Sequence, residues 1–277
     1  MSNQIHPTAL VDRAAQLGDN ITIGPFAIIE ADTALGDGCQ IKAGAIIRRY
    51  TTLGRENVVH SYAVLGSDPQ DFKFCSQDVT YLKIGDKNRI HEYVTISRAT
   101  KPGGATVVGN GCMFMTETHI GHDSVIGDHV IMVNGTAIAG HVEIHDRAVL
   151  SAHACVHQFC WMGELAMARG NSAATQHVPP FVLIKDINKL GGLNVVGMRR
   201  AGYSAKERVE IKDAYNLLYR RGLTPAKALV EMEQHTEWGP GAVKFRDFAR
   251  RVLMAEKPFG RGFVSHADPD EEQEEKD

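Results

Sequence analysis

Aliphatic side chains recur every six residues from the start of the chain: Ile5, Val11, Leu17, Ile23, Ile29, Leu35, Ile41, Ile47, Leu53, Val59 and Leu65. The phase breaks, resumes at Ile84, Ile90 and Ile96, and breaks again. It then runs from Val108 through Phe114, Ile120, Ile126, Met132, Ile138, Ile144, Leu150, Val156 and Met162 to Ala168 and Ala174. Four residues beyond each aliphatic stands a mostly small one, such as Ala27, Cys39, Ala45, Thr51, Cys112, Thr118, Ser124, Thr136 or Cys160. A period of six fits neither the 3.6 of a helix nor the plain alternation of an isolated strand. It suits a solenoid in which each hexapeptide supplies one short strand and one corner, with both the aliphatic and the small residue facing inward. Gly follows the aliphatic at Gly18, Gly24, Gly36, Gly54, Gly121 and Gly127, as corners with unusual dihedrals require.

With three faces to a coil, as in the known hexapeptide-repeat proteins, 18 residues make one turn that rises about 4.8 Å. The two breaks, near 67–83 and 99–107, predict loops expelled at corners, and long loops on a rigid scaffold are where function concentrates. The repeat domain is therefore expected over 1–190. After Pro179-Pro180 the pattern stops, and Ser204 with Glu207 forms a capping box opening a helix to about Arg221. Thr224-Pro225 begins another to about His235, and Val243 to Ala255 reads as a third, giving a linker and helical domain over 191–257. Residues 258–277 read as an acidic, disordered tail, since Asp268–Asp277 carries seven acids and no core-forming residue.

Composition narrows the class. The 277 residues are 43% hydrophobic, enough for a sizeable core. The net charge of -3, from 30 Lys+Arg against 33 Asp+Glu, lacks the basic excess of a nucleic-acid binder. Met1–Val11 has no basic start followed by an apolar stretch, and no run of about 18 apolar residues occurs. A cytoplasmic protein with no transmembrane segment is expected. The five cysteines are scattered, without a C-x-x-C pair, and read as reduced thiols.

Residues 18 apart stack on one face, so His122, Gly140 and Gln158 form a column, and Asp123, His141 and Phe159 form the next. Ala139 and His157 lie beside them, one coil apart. His119, His122, His141 and His157 thus gather near one edge with an acid, a candidate for proton-transfer chemistry. Two blander readings compete. These are exposed corner histidines, as His60, His129, His145 and His153 are read, or they bind zinc. The spacing offers no evident three-His geometry, so no metal or other cofactor is expected.

At these residues the chain resembles the UDP-N-acetylglucosamine 3-O-acyltransferase family of hexapeptide-repeat transferases. The likeness rests on His119-Ile-Gly-His-Asp123, Ala139-Gly-His141, Val156-His-Gln-Phe-Cys160, His177-Val-Pro-Pro180 and Asn194-Val-Val-Gly-Met-Arg-Arg-Ala-Gly-Tyr-Ser204, and runs from about Ile5 to the helical C-terminus. It implies a mainly β fold, a left-handed parallel β-helix with a C-terminal α-helical domain, although parallel crossovers elsewhere are normally right-handed. It implies transfer of a hydroxyacyl chain from acyl carrier protein to the sugar 3-hydroxyl, the first step of lipid A synthesis, by a homotrimer with sites between subunits. His122 would be the general base, Asp123 its orienting partner and Gly140 the backbone oxyanion donor. Gln158, Asn194 and Arg200 would contact the uridine diphosphate, and His119, His141 and His157 would line the groove. Asp71 and Lys73, within Gln70-Asp71-Phe72-Lys73, would close over the sugar, and Gly170 would sit where side-chain bulk limits acyl length. Arg199, Arg200, Arg220, Arg221, Arg250 and Arg251 could meet the acidic carrier.

The chain departs from the family pattern at Ser97, often His, and at Val196, often an acid. Both leave room for a 3-amino UDP-sugar acceptor. Other readings are the related N-acyltransferase acting on UDP-3-O-acylglucosamine, which normally carries an extra N-terminal domain, a γ-type carbonic anhydrase, and a non-catalytic binding solenoid.

Overall fold

The computed structural model describes residues 2–265, and the six-residue phase appears in it as a left-handed parallel β-helix. Strands of mostly two residues, such as Thr22–Ile23 and Gln40–Ile41, pair in parallel with the strand 18 residues on. They build three faces of a prism. The first has 11 strands, from Gln4–Ile5 to Lys189–Leu193; the second has nine, from Leu10–Val11 to Ala173–Ala174; the third has eight, from Gln16–Leu17 to Trp161–Met162. The aliphatic and the small residue four places on both turn inward: Ile41, Ala45, Ile47, Val59 and Ala63 are fully buried. Burial of this continuous stack, at roughly 25 cal/mol per Å² of apolar surface, drives folding. Among the described residues the first coil has nothing beneath it, so Ile5 stays exposed although it holds an inward position of the hexad.

The chain leaves the prism over 68–80 and 98–104. Strands resume at Tyr81–Ile84 and Ala105–Val108, earlier than the hexad phase alone suggests, because Leu82 and Thr106 also turn inward and are fully buried. Arg98 holds the first loop down. Its buried guanidinium pairs with Asp68 at 2.9 Å and faces the rings of Tyr50 and Phe74 at 5.4 and 5.3 Å.

Beyond the repeats, Val182–Lys185 still extends the first face, and Lys189–Leu193 turns back on it as an antiparallel strand. Among the described residues four helices follow: α1 (Val195–Arg200), α2 (Ala205–Tyr219), α3 (Pro225–Gln234) and α4 (Pro240–Leu253). Ser204 and Glu207 make the expected capping box at α2. The short α1 has no counterpart in the sequence reading. Arg251 on α4 joins the helices to the prism: it grips both Glu143 oxygens at 2.6 and 2.7 Å and lies 3.7 Å from the Trp161 ring centroid. No helix among the described residues is long and apolar enough to cross a membrane.

Residues 258–265, assigned to the tail from composition, instead run back along the prism as a strap. His177 is the reason. Fully buried, its Nδ1 accepts from the Trp161 N–H at 3.0 Å and its Nε2–H donates to the Phe259 carbonyl at 2.7 Å, while the backbones of His177 and Leu190 pair with Gly262, Val264 and Ser265. The acidic run Asp268–Asp277 lies outside the described residues.

Candidate active site

A cleft of about 440 Å³ opens on the outer surface of the second face, lined by Gln70, Ser97, His119, Gly121, His122, Ala139, Gly140, Cys155 and Gln158, among others. Two larger concavities lie away from it, one between prism and helices and one at the N-terminal coils, and neither contains this histidine cluster.

His122 and Asp123 occupy the corner after the strand His119–Ile120. His122 Nδ1–H donates to Asp123 Oδ2 at 2.8 Å, which leaves the Nε2 lone pair free. Asp123 is held from three further directions: Thr100 donates its hydroxyl at 2.7 Å and its N–H at 3.1 Å, the Asp123 N–H donates to Thr106 Oγ1 at 2.9 Å, and His141 Nε2 stands at 3.6 Å. Burial works to raise the Asp123 carboxyl, but the hydrogen bonds from His122 and Thr100, with His141 beside them, outweigh it and hold it below the usual carboxylate range. Asp123 thus stays an anion beside the imidazole.

On the next coil, Gly140 packs against the His122 ring. A Cβ there would come within 2.5 Å of Cε1 and 2.7 Å of Nε2, so only glycine lets the imidazole sit so close. Among the described residues no acceptor takes the Gly140 N–H, whereas the neighbouring Ala139 and His141 N–H groups are used by Val156 and His122 carbonyls. A free imidazole nitrogen and an unclaimed N–H therefore face one small volume.

His141 packs edge-on to His122, with centroids 5.3 Å apart, and stacks on Phe159 at 4.8 Å. Phe259 of the C-terminal strap meets Phe159 edge-on at 5.3 Å. Burial pushes His141 below the ordinary imidazole value, Asp123 opposing and His122 and Lys101 assisting. His119, bonded to Thr95 Oγ1 at 2.8 Å, is likewise lowered, by burial first and then by His122. Both are neutral at neutral pH.

The structure brings together His119, His122, Asp123, Gly140, His141 and Gln158, with His157 on the same edge one coil on, its Nδ1–H donating to the Gln158 carbonyl at 3.1 Å. Ligand atoms of His122, Asp123 and His141 fall within 4.8 Å of one another, a three-donor cluster that the spacing did not suggest. Asp71 turns its carboxylate to the Lys73 N–H at 2.8 Å, and its charge reaches His141; Lys73 and Phe72 are exposed. Other expected residues lie elsewhere within one chain. Gly170 is at the opposite edge of the second face, three coils above His119. Asn194 is buried, caps α1 through Gly197 N–H and donates to the Leu165 carbonyl, so its amide is structural here. Arg200 is exposed at the end of α1. Arg250 and Arg251 are taken by Glu233, Asp247 and Glu143, which removes them from the set of arginines free to meet a carrier. Thr100, Thr106 and Phe259 are the supporting residues that spacing did not reveal, whereas Phe159 stacks on His141 as the 18-residue column places it.

Comparison with known proteins places the chain in a family. Residues 177–263 match the family model described as UDP N-acetylglucosamine O-acyltransferase, domain 2, and residues 14–49 match the bacterial transferase hexapeptide repeat. An acyl-(acyl-carrier-protein)–UDP-N-acetylglucosamine O-acyltransferase from Stutzerimonas stutzeri is 42% identical over 245 residues, 88% of this chain and 95% of that protein. A protein of the same name from Aliarcobacter butzleri is 49% identical over 223 residues, 79% and 85% of the two chains. Among solved structures, the UDP-N-acetylglucosamine acyltransferase of Francisella novicida superposes with a TM-score of 0.89 at 32% identity, covering 96% of this chain and 95% of that one.

Proposed function

Because the chain belongs to the UDP-N-acetylglucosamine O-acyltransferase family, we propose that this acyltransferase moves a (3R)-hydroxyacyl group from acyl carrier protein to the 3-hydroxyl of UDP-N-acetylglucosamine, opening lipid A synthesis in the cytoplasm. One observation carries the mechanism: Asp123 fixes His122 in the tautomer whose free Nε2 lies over Gly140. Nε2 takes the proton of the sugar hydroxyl as its oxygen bonds to the thioester carbonyl carbon. The carbonyl oxygen gains the displaced electron pair and is met by the Gly140 N–H. Collapse breaks the C–S bond, and the imidazolium returns its proton to the departing carrier thiolate. Asp123 stays ionised throughout and balances the transient imidazolium.

The active assembly is a homotrimer. A single chain presents His122 at one edge of the second face and Gly170 at the other, with small outward residues Ala137, Cys155 and Ala173 on the strands between them. It also leaves Phe72 fully exposed beside Asp71 and Lys73. A neighbouring subunit would wall this open surface and bring the sugar- and phosphate-binding groups opposite His122, with Gln158 and Arg200 toward the diphosphate. Asn194 contributes by fixing the start of α1 beneath Arg200.

Mass spectrometry of products, after incubation with UDP-N-acetylglucosamine and a ladder of hydroxyacyl carrier proteins, should give one mono-O-acylated sugar nucleotide and read out the chain length. Product only from the 3-amino sugar nucleotide would reassign the acceptor and point to Ser97, which lines the cleft. Product from neither would remove the proposal.

Phe259 is a positioning residue for this chemistry. It braces Phe159, which shields His141 from water and keeps it neutral; a protonated His141 would compete with His122 for Asp123 Oδ2, 3.6 Å away. In Phe259→Ala, His141 should titrate closer to its ordinary value, and the acid limb of the kcat profile should move toward neutral pH, with Phe259→Leu largely restoring it. A profile that keeps its shape while only Tm falls would confine Phe259 to holding the strap.

A further inference from the structure

A second cluster of metal-ligating groups lies away from the cleft, at the corner between the first and second faces. His60 and His91 end equivalent strands, Val58–Val59 and Arg89–Ile90, on adjacent coils, and Glu92 follows His91. The two imidazoles stack with centroids 4.5 Å apart and planes 11° from parallel. The Glu92 carboxylate faces both: Oε1 is 3.3 Å from His60 Nδ1, and Oε2 is 3.7 Å from His91 Nδ1. Donor atoms of all three lie within 4.8 Å of one another.

These separations are close to those of a coordination polyhedron. Zinc bonds of about 2.0–2.1 Å to nitrogen and oxygen in a tetrahedron set donor atoms roughly 3.3–3.5 Å apart. Closing onto an ion requires the stacked rings to splay, a rotation about the broad imidazole χ2 torsion that half-exposed side chains can make. The surroundings favour it. Lys42, one coil below, turns its ammonium to Gln40 Oε1 at 2.8 Å. Burial, then His91, lowers the His60 pKa against the pull of Glu92, so its lone pair is available at neutral pH.

We propose that His60, His91 and Glu92 bind one divalent transition-metal ion of the zinc class, with water as the remaining ligand. Two imidazoles and one carboxylate suit zinc, cobalt or nickel; magnesium and calcium would want oxygen alone. The position gives the ion a purpose. Residues 60 and 91 stand on successive coils, yet 31 residues separate them instead of 18, because the loop over 68–80 leaves the prism between them. That loop, which carries Asp71 and Lys73, leaves from the far edge of the second face, and an ion at the near edge staples together the two coils that the loop joins.

The test uses the purified full chain, stripped with chelator and titrated with Zn²⁺ by calorimetry, with Tm followed in parallel. Wild type should take up one ion per chain with a rise in Tm. His91→Gln should weaken uptake by at least the roughly 10–100-fold that loss of even a supporting partner costs. His122→Ala should bind as wild type, which separates this site from the three donors in the cleft. No uptake at micromolar Zn²⁺, or loss in His122→Ala but not in His91→Gln, would overturn the proposal. Should His91→Gln fold poorly, crystals of the wild type soaked in Zn²⁺ decide: an anomalous peak among His60, His91 and Glu92 supports the site, and a peak only elsewhere refutes it.

Discussion

Replacing His122 with Ala should lower kcat by roughly 10²–10⁴-fold, the usual contribution of a positioned general base, with little change in Tm or in the KM for the sugar nucleotide. The expectation follows from how little else can do this work. His119 is bonded through Nδ1 to Thr95, His141 is wedged between His122 and Phe159, and His157 points Nδ1 at the Gln158 carbonyl. None of them lies over Gly140 as His122 does. Asp123→Asn should cost less than His122→Ala, because Thr100 and Thr106 still hold the corner while the anion that favours the imidazolium is gone. Gly140→Ala would push the imidazole off its seat and lose rate through the same group. Steady-state kinetics with circular dichroism as the fold control checks the series. If His122→Ala kept wild-type turnover, His122 would not be the base and the cleft would need a different chemistry.

The hexad phase made the prism legible because a narrow triangular core admits only an aliphatic and a small residue per strand, so burial writes itself into the sequence every six positions. The same arithmetic placed His122 in one column with Gly140 and Gln158 and put Asp123 beside His141. It could not place Thr100 or Thr106. Both fall within the second break in the period, and no spacing says which residue of that break will meet Asp123. Composition misled at residues 258–265, where proximity to an acidic run suggested solvation; the segment is tied down by one buried histidine and an aromatic contact that are remote in sequence. Asn194 was read through a motif as a ligand group, yet its amide is consumed capping α1. The helix itself begins Val195-Val196, β-branched residues that give little helical signal.

Substituting His177 with Leu should destabilise the protein by about 2–6 kcal/mol, since it leaves the Trp161 N–H and the Phe259 carbonyl without partners, at about 1–3 kcal/mol for each buried group. The loss should also change how stability depends on pH. Burial lowers the folded pKa of His177; the Phe259 carbonyl opposes the shift, and Arg251 and Arg261 reinforce it. The folded value lies below the ordinary 6.5 of the unfolded chain. Between those two values the unfolded state holds more protons, so stability rises with pH across that window and is lost as pH falls below about 6.5. Wild-type Tm should therefore drop between about pH 7.5 and 5.5. His177→Leu should show a shallower slope, His60, His119 and His141 still contributing in the same direction. An unchanged slope would mean that His177 is hydrated in solution and the strap detached. Because the strap carries Phe259, the variant should also lose activity at temperatures where it remains folded, with its acid limb displaced as in Phe259→Ala. That shared displacement would tie the far end of the chain to the geometry of the catalytic corner.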